Sequence, residues 1–158
     1  MRLDVPRDRI ILMIASLAVM APLLAFYWPA GNGLDVMNVP IGRDFINVWS
    51  GPQIAFGQGV ATLFDPKAYY AALKVLFGPS VAFHNWGYPL TTLPAFWPLA
   101  QLPYFWALAV WTFGLFAIFA AVVLAQVEPE RRLQALLLLA LTPACLINVI
   151  GGQNGFLS

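Results

Sequence analysis

Charge is what this sequence has least of. Asp, Glu, Lys and Arg make up 9% of its 158 residues, against roughly 25% in a soluble domain, and that excludes an ordinary water-soluble globule. The formal net charge is +1, so there is no electrostatic footprint for nucleic acid. The single cysteine, Cys145, excludes an internal disulfide, and no Cys/His cluster exists for a structural zinc. Phosphate-loop, dinucleotide, zinc-protease and nucleophile-elbow patterns are missing, so neither a metal nor a cofactor is expected. No internal repeat is visible. What is present excludes disorder: 61% of the residues are hydrophobic and the mean hydropathy is +0.77. Aromatics reach 15%, with six Trp, and there are thirteen Pro, an unusual load for a plain helix bundle.

The few charges mark boundaries. Arg2, Asp4, Arg7, Asp8 and Arg9 crowd the first nine residues, and residues 10–28 then run without a charge. As a helix this run rises about 28 Å, close to the roughly 30 Å hydrocarbon core of a bilayer, which predicts a first membrane span. Pro22 is tolerable inside it, Tyr27 and Trp28 are interfacial anchors, and Pro29 ends it. The competing reading is a cleaved signal peptide. The run is longer than the usual apolar region of one and lacks a small-x-small site before Pro29.

Residues 29–87 are the polar part of the chain and predict a structured outer loop. Gly31, Asn32 and Gly33 form a turn, and Pro40 closes the segment after it. Residues 44–57 and 66–77 read as two short amphipathic helices suited to a membrane interface. Asp65 is the expected N-cap of the second, with Pro66 at its first position and Gly78-Pro79 as its stop. Tyr69, Leu73, Leu76 and Phe77 share its apolar face, with Lys67 and Lys74 opposite.

Residues 75–127 contain no Asp, Glu, Lys or Arg. Pro89, Pro94, Pro98 and Pro103 break its first half, so 88–102 is expected to be re-entrant or to lie at the surface rather than form a straight helix. Residues 103–126 predict a second span. After the charged turn Glu128-Pro129-Glu130-Arg131-Arg132, residues 133–150 predict a third, with Pro143 inside it. Residues 151–155 make a polar turn, and 156–158 open a further apolar segment. The fold class is therefore all-α: polytopic membrane helices with a large extracytoplasmic first loop carrying short amphipathic helices.

Orientation follows the positive-inside rule. Three Arg precede residue 10, against three Lys/Arg in the whole 30–87 loop. The N-terminus is thus expected in the cytoplasm of a multi-pass inner-membrane protein, with the loop outside. Three crossings put Arg131 and Arg132 inside and the Gln153 turn outside. If 88–101 were a separate short span, that arrangement would reverse. Fourteen residues rise only about 21 Å as a helix, which favours three crossings.

On the outer face, Asp44 follows Gly42-Arg43 and precedes Phe45, Trp49 and Phe56 at helical spacing. A carboxylate among aromatics at the membrane surface suits a general base acting on a hydroxyl. The bland alternative is an Asp that caps its helix. Arg43, Lys67, Lys74 and His84 are candidate partners for a lipid phosphate. Attraction to anionic headgroups is the preferred reading for Lys67 and Lys74, and a lone interfacial His is more often structural than a proton carrier or phosphate donor. Gln153 and Asn154 between glycines offer neutral donors at a helix break, or a simple turn.

The pattern Gly42-Arg43-Asp44-Phe45-x-x-x-Trp49, then Gly57-x-Gly59 with Leu63-Phe64-Asp65-Pro66, resembles the first outer loop of glycosyltransferase family 87. Trp86-Gly-Tyr88-Pro89, Pro98-Leu-Ala-x-Leu-Pro103, Trp111 and Gly152-Gln153-Asn154 extend the likeness. Leu90 stands where the family often has a second Pro. Its members are more than twice this long, so the chain resembles their N-terminal portion. The resemblance implies a class C glycosyltransferase that takes sugar from a polyprenyl-phosphate donor, inverts the anomeric centre and delivers to a glycan or lipid acceptor. It matches Asp44 to the acidic base of the first loop. Arg43 and His84 are then expected on the phosphate side, and Tyr88 and Gln153 at the sugar. Two other classes remain: a catalytically silent membrane scaffold, and a small lipid-binding or transport module. No charge sits inside any expected span, which disfavours transport.

Overall fold

The computed structural model describes residues 7–26, 28–31 and 33–157. It is mostly helical. Helix α1 covers Arg7–Phe26, beginning three residues before the charge-free run; Arg2, Asp4, Tyr27, Asn32 and Ser158 lie outside the described residues. Pro29 does more than end α1. It opens strand β1 (Pro29–Gly31), which pairs antiparallel with β2 (Leu34–Asp35) across the glycine-rich turn.

The loop then folds into α2 (Phe45–Gln58), α3 (Ala61–Phe64) and α4 (Pro66–Phe77). Helix α4 starts as its sequence dictates: the Asp65 carboxylate accepts the backbone N–H groups of Lys67 and Ala68 at 2.9 and 3.1 Å. Its buried face is Tyr69, Ala72, Leu73 and Phe77, whereas Leu76 is exposed. Gly78 ends the helix at φ 97°, a conformation open to glycine.

The proline-rich stretch yields a short 3-10 turn, Leu90–Thr92, and an eight-residue helix, α5 (Leu93–Ala100). Eight residues rise about 12 Å, and α5 lies along α2, burying Leu93, Phe96 and Ala100. Pro103 then sets up α6 (Tyr104–Ala125), about 33 Å long at helical rise. By length and composition α6 can cross a membrane. Phe105, Trp106, Val110, Phe113, Ile118 and Val122 are exposed along it, while Ala107, Trp111, Thr112 and Ala120 face the protein.

The third apolar run is not one straight helix. It divides into α7 (Arg132–Ala140) and α8 (Pro143–Gly151); taken from the Pro129–Arg131 turn that leads into α7, the two parts meet at 59°. The cause is Pro143, which has no N–H to donate and displaces the preceding turn. Thr142 then caps the new helix, its hydroxyl accepting Cys145 N–H at 3.3 Å. By length and composition the pair is apolar enough for one broken span or for a re-entrant loop. Beyond the polar turn, Gly155–Leu157 form a 3-10 turn, and Phe156 is buried against the Phe116 and Phe119 rings of α6.

The core sits beneath the start of α2. Leu34, Ile46, Ile54, Leu63, Tyr69, Leu73, Phe77 and Val81 form one buried cluster. Phe45, Val48, Phe96, Ala107 and Trp111 form a second, and Trp49, Trp86 and Tyr104 pack against both. The aromatic excess of the composition is spent here: edge-on pairs such as Trp49–Tyr104 (5.3 Å) and Phe96–Trp111 (5.7 Å) fasten α2, α5 and α6 together.

Candidate functional site

Two polar turns meet at the N-terminal end of α2. The first is Gly42-Arg43-Asp44. Gly42 and Arg43 both have positive φ, 85° and 42°, the latter uncommon for a residue with a side chain. Arg43 is secured by an ion pair that sequence reasoning missed. Its guanidinium lies 2.8 Å from the carboxylate of Asp35, side chains 21% and 0% exposed respectively. Asp35 also accepts the backbone N–H groups of Met37 and Val39, at 2.8 and 3.0 Å. The signal was an Asp directly before a turn-forming segment containing Asn38. Arg43 is thereby occupied within the fold, not displayed alone for a phosphate.

The second turn is Gly151-Gly152-Gln153. Gly152 closes α8 in the left-handed conformation, φ 56°. A Cβ there would collide with the Gly42 carbonyl oxygen and lie 2.8 Å from Phe45 Cβ. The two turns therefore touch backbone to backbone. Asp44 N–H donates to the Gly151 carbonyl at 3.2 Å, and buried Trp111, from α6, donates its indole N–H to the Gly152 carbonyl at 3.0 Å. Tyr104 at the head of α6 donates to the Ile41 carbonyl at 2.7 Å. Thus α6 holds both turns by aromatic side chains with polar ends.

Asp44 stands at the N-cap position of α2, yet its side chain makes no cap bond and its backbone is helical, φ −68°, ψ −18°. The capping alternative is not what the structure adopts. The carboxylate is exposed and instead accepts a long hydrogen bond, 3.4 Å, from the side-chain amide of Gln153. Those residues are 109 positions apart, and nothing local in the sequence announces the contact.

Tyr88 joins them from residues 81–89. Its ring packs on Trp86 (5.8 Å) and Phe96 (5.3 Å). Burial pushes its hydroxyl above the ordinary tyrosine range, and the negative charge of Asp44 pushes it further the same way. Position 88 is fixed through the loop's other contacts. Trp86 lies over Gly51, where any Cβ would strike its ring, and the Asn85 carbonyl accepts Asn47 Nδ2 at 3.1 Å. Asn47 in turn accepts the buried Tyr69 hydroxyl at 2.6 Å, and that hydroxyl lies 3.1 Å from Ser50. Burial raises the Tyr69 hydroxyl well above its usual range, the Ser50 hydrogen bond opposing only part of the rise.

His84 sits in the same stretch with Nδ1 3.1 Å from the Ala82 carbonyl. Of the sequence-predicted residues, Asp44 and Gln153 meet, Tyr88 packs on Trp86 and Phe96 within range of the Asp44 charge, Arg43 adjoins Asp44 but pairs with Asp35, and His84 engages its own loop. Lys74 lies 4.3 Å over the Tyr70 ring, and Lys67 is exposed at the start of α4. Chemically the arrangement offers an exposed carboxylate with an amide donor, set among aromatic faces. No protein-family model, curated protein or solved structure matches the chain.

Proposed function

We propose that this protein is a membrane glycosyltransferase, similar to glycosyltransferase family 87, that moves a sugar from a polyprenyl-phosphate donor to an acceptor hydroxyl on the extracytoplasmic face. The observation that carries the reading is the state of Asp44: an exposed carboxylate at a helix start that does not cap the helix and is met by a side chain from the far end of the chain. The helix does not call on its oxygens: the Phe45, Ile46 and Asn47 N–H groups donate to the carbonyls of Gly42, Arg43 and Asp44, which leaves the carboxylate available at the surface.

In this reading Asp44 takes the proton of the acceptor hydroxyl as that oxygen attacks the anomeric carbon. The bond from that carbon to the phosphate oxygen breaks on the opposite face, and the polyprenyl phosphate leaves with the electron pair. The centre inverts in one displacement. Charge develops on the leaving phosphate, where cationic donors contribute most. Arg43 and His84 are the candidates for that task, Arg43 next to Asp44 in the chain and paired with Asp35, His84 with Nδ1 beside the Ala82 carbonyl. Tyr88 and neighbouring rings offer an apolar face for the sugar.

The same reading has α1, α6 and the bent α7–α8 pair crossing an inner membrane, with the N-terminus cytoplasmic and residues 29–87 outside. It is supported by the contact between Asp44 and Gln153, which requires the 151–155 turn and the large loop to share one side.

The test is release of polyprenyl phosphate from a panel of polyprenyl-phosphate hexoses and pentoses, measured in membranes supplied with glycan and lipid acceptors. Asp44→Asn is expected to lower release at least about 100-fold, the usual scale of a lost general base, with expression unchanged. Equal release by the variant would overturn the assignment.

A further inference from the structure

We infer that Gln153 is a positioning residue for Asp44, and that the two glycines before it serve to aim it there. The inference rests on the reading of Asp44 as general base and deepens it. Four observations carry it. Gln153 Nε2 donates to Asp44 Oδ2, at 3.4 Å. The backbone of its turn is held at three points: Gln153 N–H donates to Asn148 O at 3.1 Å, the Gly151 carbonyl accepts Asp44 N–H, and the Gly152 carbonyl accepts the Trp111 indole N–H. Gly152 supplies the left-handed turn and the close approach to Gly42. Gly151 supplies space, for a Cβ there would stand only 3.1 Å from Gln153 Cγ. The side chain of Gln153 is thus folded back over Gly151 toward Asp44. A turn that merely reversed the chain would need one left-handed residue, not a second residue stripped of its side chain.

The chemistry follows from the donor. An amide N–H bound to one carboxylate oxygen fixes the orientation of the group and leaves the other oxygen to face the acceptor hydroxyl. Gln153 transfers no proton itself. It acts by restricting Asp44, so its loss reduces turnover rather than substrate binding.

The experiment uses the chain in lipid nanodiscs with ¹⁵N-labelled glutamine side chains. The six glutamines include Gln53, whose amide donates to the Trp49 carbonyl. Asp44→Asn is expected to shift the Gln153 amide signal and leave that of Gln53 in place. In the polyprenyl-phosphate release assay, Gln153→Ala is expected to lower kcat about tenfold, the scale of one hydrogen bond to a charged group. KM for the donor and the thermal midpoint should not change. Gly151→Ala, which crowds the Gln153 side chain, should lower kcat in the same direction. A Gln153 signal indifferent to Asp44→Asn overturns the proposal, as does a normal kcat in Gln153→Ala. A rise in KM alone would make Gln153 a sugar contact and overturn it too. Undiminished release by Asp44→Asn is a separate result: it defeats the base reading whatever the amide signal does.

Discussion

Gly152 has no room for a side chain. The Gly42 carbonyl and Phe45 Cβ occupy the space, and its φ of 56° disfavours any residue with a Cβ. Gly152→Ala should therefore cost about 3 kcal/mol, combining left-handed strain with overpacking. Denaturant unfolding in detergent would read this, and an unchanged midpoint would mean that the two turns do not dock. Tyr88 provides a second residue-scale test, because its hydroxyl is raised first by burial and then by the charge of Asp44. Removing that charge in Asp44→Asn removes a cause that disfavours tyrosinate. The Tyr88 midpoint should fall in the variant yet stay above the ordinary tyrosine value, since burial persists. A ¹³Cζ-tyrosine titration by NMR would show it. No movement would place the carboxylate away from the ring.

At the scale of elements, the helices divide by what starts them. Helix α4 is locally encoded: Asp65 accepts two backbone N–H groups, Pro66 occupies the first position and Gly78 ends the helix. Asp65→Ala should cost about 1 kcal/mol, the usual value of a lost N-cap, read as a lower unfolding midpoint; no change would mean that the cap is made only by water. Helix α2 is started by local backbone bonds from Phe45, Ile46 and Asn47 N–H to the Gly42, Arg43 and Asp44 carbonyls, together with tertiary contacts. Asp44 lends it no cap, and its first turn is packed by Phe45 against Tyr104 and Trp111. This leaves the carboxylate available at the surface, so the absence of a cap at α2 and the availability of Asp44 are one fact. The bend between α7 and α8 also serves the site, because it directs the C-terminal end of α8, and Gly151 with it, onto the loop.

At the scale of the molecule, among the described residues, two polar turns are gathered at the N-terminal end of α6, while the charged 128–132 turn follows its other end. Tyr104 and Trp111 donate from that helix to Ile41 and Gly152, and Trp49 of α2 donates to the Leu102 carbonyl just before it, at 2.9 Å. The rest of α6 is an apolar rod with large exposed side chains, the surface that lipid tails accept without cost. The proposed three-crossing arrangement has the Asp44 turn and the Gln153 turn outside together. Gln153→Cys, labelled with a membrane-impermeant maleimide, should react from the extracytoplasmic side, while the buried native Cys145 stays silent. Labelling only from the cytoplasmic side would reject the three-crossing arrangement.

The sequence by itself determined the mostly helical character, the limits of α4 and α6 and the candidate carboxylate; it predicted 133–150 as one span, and the break at Pro143 came only with the structure. All of these depend on near neighbours: apolar runs, a cap three residues long, a proline. Only the tertiary structure decided that Asp44 does not cap, that Arg43 belongs to Asp35, and that Gln153 reaches Asp44. Hydropathy marks which stretches leave water but carries no record of which polar turns meet. That meeting depends on glycines small enough for two backbones to touch and on indole and phenol groups reaching across from α6. The low charge content with which the chain presents itself is thus a matter of location: charges at the N-terminus, in the 29–87 loop and in the 128–132 turn, with the polar turns around Asp44 and Gln153 brought to the head of an apolar helix by packing.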